Sequence, residues 1–256
     1  MVWYRTAAAS YNSGVQQQLA DSGYAFVHAD AMRAALEADG ALTDWDDFAA
    51  SWERLELDQY LAERERCRRR RFAVYTAGAD GRIERQPHQP HYQHEHYNRL
   101  FGGIERWFAP IEETIGESET MRTILGFCDS LFRSLAPDAG AWHVEVHQFR
   151  IEARAQAPGH PTPEGVHRDG VDFVLVLLVN RRNIVSGTTT VYDAAGVALG
   201  SFTLTDPLDA ALVDDRRVAH GVTPVAPLEP SHPGHRDVLV VTFRAENGPD
   251  RPTDRP

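Results

Sequence analysis

Pro163-Glu164-Gly165-Val166-His167-Arg168-Asp169-Gly170 joins two strand-like runs, His143 to Ile151 and Asp172 to Val179. In an extended segment side chains alternate between faces, so His167 and Asp169 project from the same side and can reach one ion. A His-x-Asp pair with a later His supplies two imidazoles and one carboxylate, a set that suits Fe(II) and leaves coordination positions open. The pair means little alone, because about 20 Asp among 12 His yield about one such pair by chance. Two others occur: His28-Ala29-Asp30 ends a strand and caps a helix, and His235-Arg236-Asp237 has no histidine after it. His167 and Asp169 enter a run of strands and are followed by His220, 51 positions after Asp169, at a strand end before Gly221. His232 and His235 are rivals for the third ligand but lie in a Pro-rich hairpin loop.

Working outward, the pattern from Trp142 onward is one of short strands parted by turn residues. They cover His143 to Ile151, Asp172 to Val179, Thr188 to Tyr192, Leu199 to Leu204, Ala210 to Val213, Arg217 to His220 and Val238 to Phe243. Such spacing predicts a sandwich or barrel. Residues 1–140 read as mainly helical support, with a strand at Tyr24 to Val27, a hairpin of Phe72 to Thr76 with Arg82 to Arg85, and helices over Ala31 to Ala38, Asp44 to Arg66, Tyr97 to Phe108 and Glu119 to Leu135. The expected architecture is α+β: a single domain over 1–246, with a β-core over 141–246. A polar, Pro-rich tail over 247–256 is expected to be disordered.

Composition narrows the chemistry. All 26 basic residues are arginine, which excludes a lysine Schiff base and a P-loop lysine. Any carboxylate anchor must then be arginine, histidine or backbone N–H. A net charge of −11 argues against nucleic acid or an anionic membrane as partner. Arg68 to Arg71 follow Glu63 and Glu65 and read as a solvated helix face. Cys67 and Cys128 suit reduced, buried thiols; with no signal peptide and no long apolar run, the expectation is a cytoplasmic protein. His88, His91, His94 and His96 read as a polar loop running into a helix.

Arg236 stands 16 positions after His220, at the entrance to the apolar strand Val238 to Phe243. A strand returning beside His220 would bring Arg236 or Arg244 to the metal chamber, where a planar guanidinium can pair with a carboxylate. Arg236 is preferred, because Arg244 abuts the tail.

The sequence resembles the bacterial 2OG-Fe dioxygenases that include the L-isoleucine 4-hydroxylase type of free amino-acid hydroxylase. The likeness rests on Pro163 to Phe173, on Val179-Asn180-Arg181-Arg182-Asn183-Ile184, on His235-Arg236-Asp237-Val238-Leu239-Val240 and on Val146-His147-Gln148-Phe149-Arg150-Ile151. It implies a double-stranded β-helix (jelly-roll) core, Fe(II), O2 and 2-oxoglutarate decarboxylated to succinate as an aliphatic carbon is hydroxylated. His167, Asp169 and His220 map onto the iron ligands and Arg236 onto the cosubstrate anchor. For a free L-amino acid, Arg150 and Glu164 are the expected partners of carboxylate and ammonium, and the loop from Ala155 to Gly165 the expected lid. A peptide or protein side-chain hydroxylase and a non-enzymatic metal- or ligand-binding jelly roll are the alternatives.

Overall fold

The computed structural model describes residues 13–62, 68–97, 100 and 102–246. Cys67, Glu63, Glu65 and the tail over 247–256 lie outside the described residues. A first helix, α1, covers 13–22. Then come β1 (Tyr24–Val27), α2 (Ala29–Asp39), α3 (Trp45–Ala50), a 3-10 turn (Ser51–Arg54), β2 (Glu56–Leu57), α4 (Gln59–Ala62), β3 (Arg68–Ala77), β4 (Ile83–Arg85), α5 (Glu113–Gly116) and α6 (Glu119–Leu135). Nine strands follow: β5 (Trp142–Ala153), β6 (Phe173–Arg182), β7 (Ile184–Ser186), β8 (Thr188–Tyr192), β9 (Ala198–Thr203), β10 (Ala210–Asp214), β11 (Ala219–Val222), β12 (Val225–Pro227) and β13 (Gly234–Ala245).

The large sheet runs β1-β10-β6-β13-β5-β3-β2, with β4 on β3, and its ladders are antiparallel. Two small sheets, β11-β8-β9 and β12-β7, complete the β-structure, an arrangement consistent with a jelly-roll core. Period-two alternation gives the large sheet two different faces. Leu175, Leu177, Leu239, Val241 and Phe243 pack with the helices in the principal core. Val174, Val176, Val238, Val240 and Thr242 point the other way and line a cavity.

Helix α6 closes the first face. The Ser118 hydroxyl caps it by accepting from the Met121 N–H at 3.1 Å, and Arg133 sits in its last turn, where a cation complements the helix dipole. Its buried stripe includes Met121, Ile124, Phe127, Leu131 and Phe132. The Phe132 ring stacks on Phe173 at 4.7 Å and meets Phe243 edge-on at 5.1 Å. This core draws on residues from Val15 to Phe243, so helices from the first half and strands from the second share it.

The first half is less helical than expected. In place of the start of one helix over Asp44 to Arg66, the described residues to Ala62 form α3 running into the 3-10 turn, then β2 and α4. The arginine run is not a helix face. It opens β3, which pairs with β5 from Arg68↔Ile151 to Ala77↔Trp142. Strand alternation then splits the run: Arg68 and Arg70 line the cavity, while Arg69 and Arg71 bond Glu152 and Glu56. Ten residues of ladder with a full partner strand outweigh local helix preference. The expected helix over Tyr97 to Phe108 is also absent among the described residues. His91 and Arg106 instead exchange backbone hydrogen bonds of 3.0 and 2.9 Å, and Gly103 turns the chain at φ +77°.

Candidate active site

The cavity between the large sheet and the small sheets is about 640 Å³. At one side the segment carrying His167 runs antiparallel to β11, with His167 and His220 exchanging N–H···O bonds of 2.9 Å each. That pairing sets the two imidazoles 4.6 Å apart, ring centre to ring centre. Asp169, two residues on, faces the same way. His167 Nε2 is 3.5 Å from Asp169 Oδ1 and 3.4 Å from Glu164 Oε1, and His220 Nε2 is 3.8 Å from Asp169 Oδ2. One donor atom from each of His167, Asp169 and His220 falls within a 4.8 Å group. Arg168 points away and donates to the Asp215 and Arg216 carbonyls.

The loop is held from behind. The buried Asp215 carboxylate accepts from the N–H groups of Asp169 (2.9 Å), Gly170 (2.8 Å) and Val171 (3.1 Å). Gly170 takes φ +82°, and a Cβ there would lie 2.6 Å from the Tyr97 ring. Asp215 was not anticipated from sequence, since nothing local distinguishes it from Asp214.

The electrostatics suit a cation. Burial pushes the His167 pKa down, but the Asp169 and Glu164 carboxylates more than reverse this and lift it to about 10. Asp169 is held well below its usual value: burial opposes ionisation, and His167 and His220 overcome it. His220 falls to about 4 through burial and the neighbouring His167 charge. His167 Nδ1 donates to the Gly165 carbonyl at 3.1 Å, which turns the Nε2 lone pair toward Asp169 once the ring is neutral. A divalent ion would take the place of the proton that now balances Asp169. Donor set, tautomer and charge all fit Fe(II).

Arg236 lies on the cavity face of β13, 2% exposed, and among the described residues its Nε and Nη2 have no hydrogen-bond partner. Burial, with the Arg181 charge adding, lowers its pKa to about 10. A guanidinium so placed fits a carboxylate ligand. Arg244 is on the same wall toward the other end of β13, opposite His143. Glu164 lines the cavity beside His167.

Arg150 does not reach the cavity. It points to the helix face of β5, where its fork bonds Asp237 at 2.7 Å through both Nε and Nη2, and Glu53 at 2.6 and 3.0 Å. It is a structural ion pair, and the expectation of a substrate contact is corrected: adjacent strand positions face opposite ways, and Phe149 and Ile151 take the cavity side. The loop over 155–165 does border the cavity, tied to the small sheets by Gly159–Val225 and Thr162–Val222 bonds.

A second polar group, unforeseen from sequence, sits elsewhere in the cavity: His91, Glu145 and His147, with Arg70 behind them. The alternation His143-Val144-Glu145-Val146-His147 would have revealed it, because period two puts all three polar residues on one strand face. His91 alone of the expected polar histidine loop joins it; His88 packs edge-on against Trp107 instead.

A family profile described as "2OG-Fe dioxygenase" matches residues 49–242. The chain belongs to that family. As a member it is a 2-oxoglutarate-dependent dioxygenase that works with Fe(II), 2-oxoglutarate and O2. A relative named 3(1)-hydroxy-L-isoleucine 4-dioxygenase, from Pantoea ananatis, is 25% identical over 234 residues, covering 88% of this chain and 93% of its own. Among solved structures, a bsmA homologue from Methylobium petroleophilum PM1 superposes with a TM-score of 0.84 at 36% identity, covering 94% of this chain and 96% of that one. IDO from Bacillus thuringiensis shares the fold, with a TM-score of 0.75 at 18% identity over 92% of this chain and all of that one. Oxygenase membership removes the non-enzymatic alternative. No helix among the described residues is long and apolar enough to cross a membrane.

Proposed function

We propose that this chain hydroxylates an aliphatic carbon of a free L-amino acid, with His167, Asp169 and His220 holding Fe(II) and Arg236 anchoring the distal carboxylate of 2-oxoglutarate. The observation that carries the reading is the combination, in one cavity, of three convergent ligand side chains and a buried guanidinium with two unpartnered nitrogens. When bound, Fe(II) with 2-oxoglutarate and O2 supplies the oxidising power that converts 2-oxoglutarate to succinate and CO2 and places one oxygen atom on carbon. The protein's part is positional. Arg236 would fix the cosubstrate by a two-point charge-assisted contact. Asp215 keeps the Asp169 loop in place through three N–H bonds, and the Gly165 carbonyl orients His167. Glu164 lines the cavity beside His167, and the end of the 155–165 loop borders the cavity where it can help exclude water.

A free amino acid is favoured over a peptide side chain by the cavity, whose polar group at Glu145 lies within its walls. The relative that acts on a hydroxy-L-isoleucine supports the same class. Both halves of the chain would act as one catalytic domain in the cytoplasm, where reduced thiols suit the buried Cys128.

The test is incubation of anaerobically purified protein with Fe(II), 2-oxoglutarate and a pool of free L-amino acids, followed by oxygen. Succinate and an amino acid heavier by one oxygen are expected, and both should vanish with His167→Ala. Succinate without any oxygenated amino acid would defeat the substrate assignment. Undiminished succinate from the variant would defeat the ligand assignment.

A further inference from the structure

The His91–Glu145–His147 group has the composition of a second metal site, but its hydrogen bonding argues otherwise. Arg70 Nη2 lies 2.7 Å from His147 Nδ1. A guanidinium can only donate, so Nδ1 carries the lone pair and the ring hydrogen sits on Nε2. Nε2 is the nitrogen that faces Glu145, at 3.7 Å from Oε2, and a protonated nitrogen cannot ligate a metal. Burial, foremost, and the Arg70 charge keep His147 neutral, with a pKa of about 3. Burial likewise lowers His91, whose Nδ1 is 2.9 Å from the same Glu145 oxygen.

Glu145 therefore presents a largely buried carboxylate, 13% exposed, to the cavity between the His91 and His147 rings. Burial opposes its ionisation, but the His91 charge and hydrogen bonds from His143, His147 and His91 hold it well below its usual pKa. A carboxylate offers about four lone-pair sites. Among the described residues only the His91 contact is of ordinary hydrogen-bond length; His143 Nε2 stands at 3.5 Å and His147 Nε2 at 3.7 Å. A largely buried anion so thinly bonded favours a cationic ligand that completes its shell.

The group's position relates it to the metal side. Arg106 Nη2 donates to Gln93 Oε1 at 2.9 Å, and Gln93 Nε2 donates to the Asp169 carbonyl at 3.4 Å. Arg70 and Arg106, both buried, place positive charge beside the carboxylate. Negative and positive groups side by side complement a zwitterion better than a simple amine or acid.

We propose that Glu145 is the substrate-specificity residue that receives the α-ammonium of a zwitterionic L-amino acid, with the Arg70–His147 and His91 contacts positioning its carboxylate. This rests on the amino-acid reading above and names the residue behind it. Glu164 is less suited to the role, because its carboxylate already lies 3.4 Å from His167 Nε2 and would be drawn to the metal. Three N–H donors of an ammonium match the acceptor sites that the histidines leave.

The experiment is anaerobic calorimetry on protein loaded with Mn(II) and 2-oxoglutarate. L-isoleucine, L-leucine, L-valine and L-methionine are titrated singly, each beside its counterpart lacking the amino group. The wild type is expected to bind at least one amino acid at least about 30-fold more tightly than its deaminated counterpart. In Glu145→Gln the preference should collapse to within about threefold, with the affinity for 2-oxoglutarate unchanged. Retained preference in that variant overturns the proposal. Should Glu145→Gln fail to fold, Glu145→Asp, which withdraws the charge by one methylene, is expected to weaken the amino acid about tenfold and leave the deaminated acid unaffected; an unchanged amino-acid affinity overturns the proposal. Failure of the broader reading looks different: no free amino acid binds wild type although succinate forms, and the role of Glu145 falls with it.

Discussion

Arg236→Met should make the protein more stable and much less able to bind 2-oxoglutarate. The guanidinium is buried, and two of its nitrogens lack partners. Its pKa falls from 12.5 to about 10, which corresponds to about 3 kcal/mol against the charged form in the folded state. The folded pKa of a base is here depressed, so the penalty is present in full below pH about 10 and disappears only as the unfolded chain also loses its proton. A measurement at neutral pH therefore sees all of it. Methionine keeps most of the alkyl stem and needs no hydrogen bonds, so the ligand-free protein should gain about 2–3 kcal/mol. At about 2–4 °C per kcal/mol for a chain of this size, Tm should rise by roughly 5–10 °C. Binding moves the other way. Two charge-assisted bonds of about 1.5–3 kcal/mol each are lost, which weakens 2-oxoglutarate by about 10²–10⁴-fold. Urea denaturation without ligand and thermal melts with and without 2-oxoglutarate measure both quantities. A ligand-free variant no more stable than wild type, or one still stabilised by 2-oxoglutarate, would show that Arg236 is not held unpaired for the cosubstrate.

Asp58, 1% exposed, takes Arg68 at 2.7 Å and lies 3.7 Å from Arg70. Asp58→Ala leaves both cations short of a partner and should cost about 3–5 kcal/mol in urea denaturation; a loss under about 1 kcal/mol would contradict this. Burial pushes the Asp58 pKa up, but Arg68 and Arg70 outweigh it, so its folded value lies below 3.8. Its contribution is thus present above that pH and lost as pH falls through the folded pKa, and wild type should lose stability in acid more steeply than Asp58→Ala. Arg150→Ala strands the buried Asp237 and should destabilise by about 3–5 kcal/mol, while calorimetry finds amino-acid affinity unchanged. A selective loss of substrate affinity would restore Arg150 to the site. Gly170→Ala forces a side chain into a left-handed backbone position against Tyr97 and should weaken Mn(II) binding about tenfold or more, read by electron paramagnetic resonance titration. Unchanged affinity would mean that the Asp169 loop tolerates the shift.

The strands from Trp142 onward were legible because alternation and turn residues are local signals. Thr188–Tyr192 matched its expected bounds, and β5, β6 and β13 proved longer than their apolar centres. The convergence of His167 with Asp169 was readable for the same reason: two residues apart on an extended chain means one side. Helix α6 matched its expected bounds, Glu119–Leu135, and the Ser118 cap appeared only in the fold.

What the chain hides from a local reading depends on partners distant in sequence. The arginine run became a strand because β5 offered ten residues of ladder, and pairing energy is not encoded in the run itself. Arg150 and Arg236 both looked like free anchors, and only packing separated them: Asp237 and Glu53 close on one, and none of the described residues closes on two nitrogens of the other. Sequence alone pointed to the candidate ligand types, put His167 and Asp169 on one face and excluded lysine chemistry. Tertiary structure decided which charges are paired and which face the cavity, because burial and hydrogen bonding are set by all the elements that meet at a point.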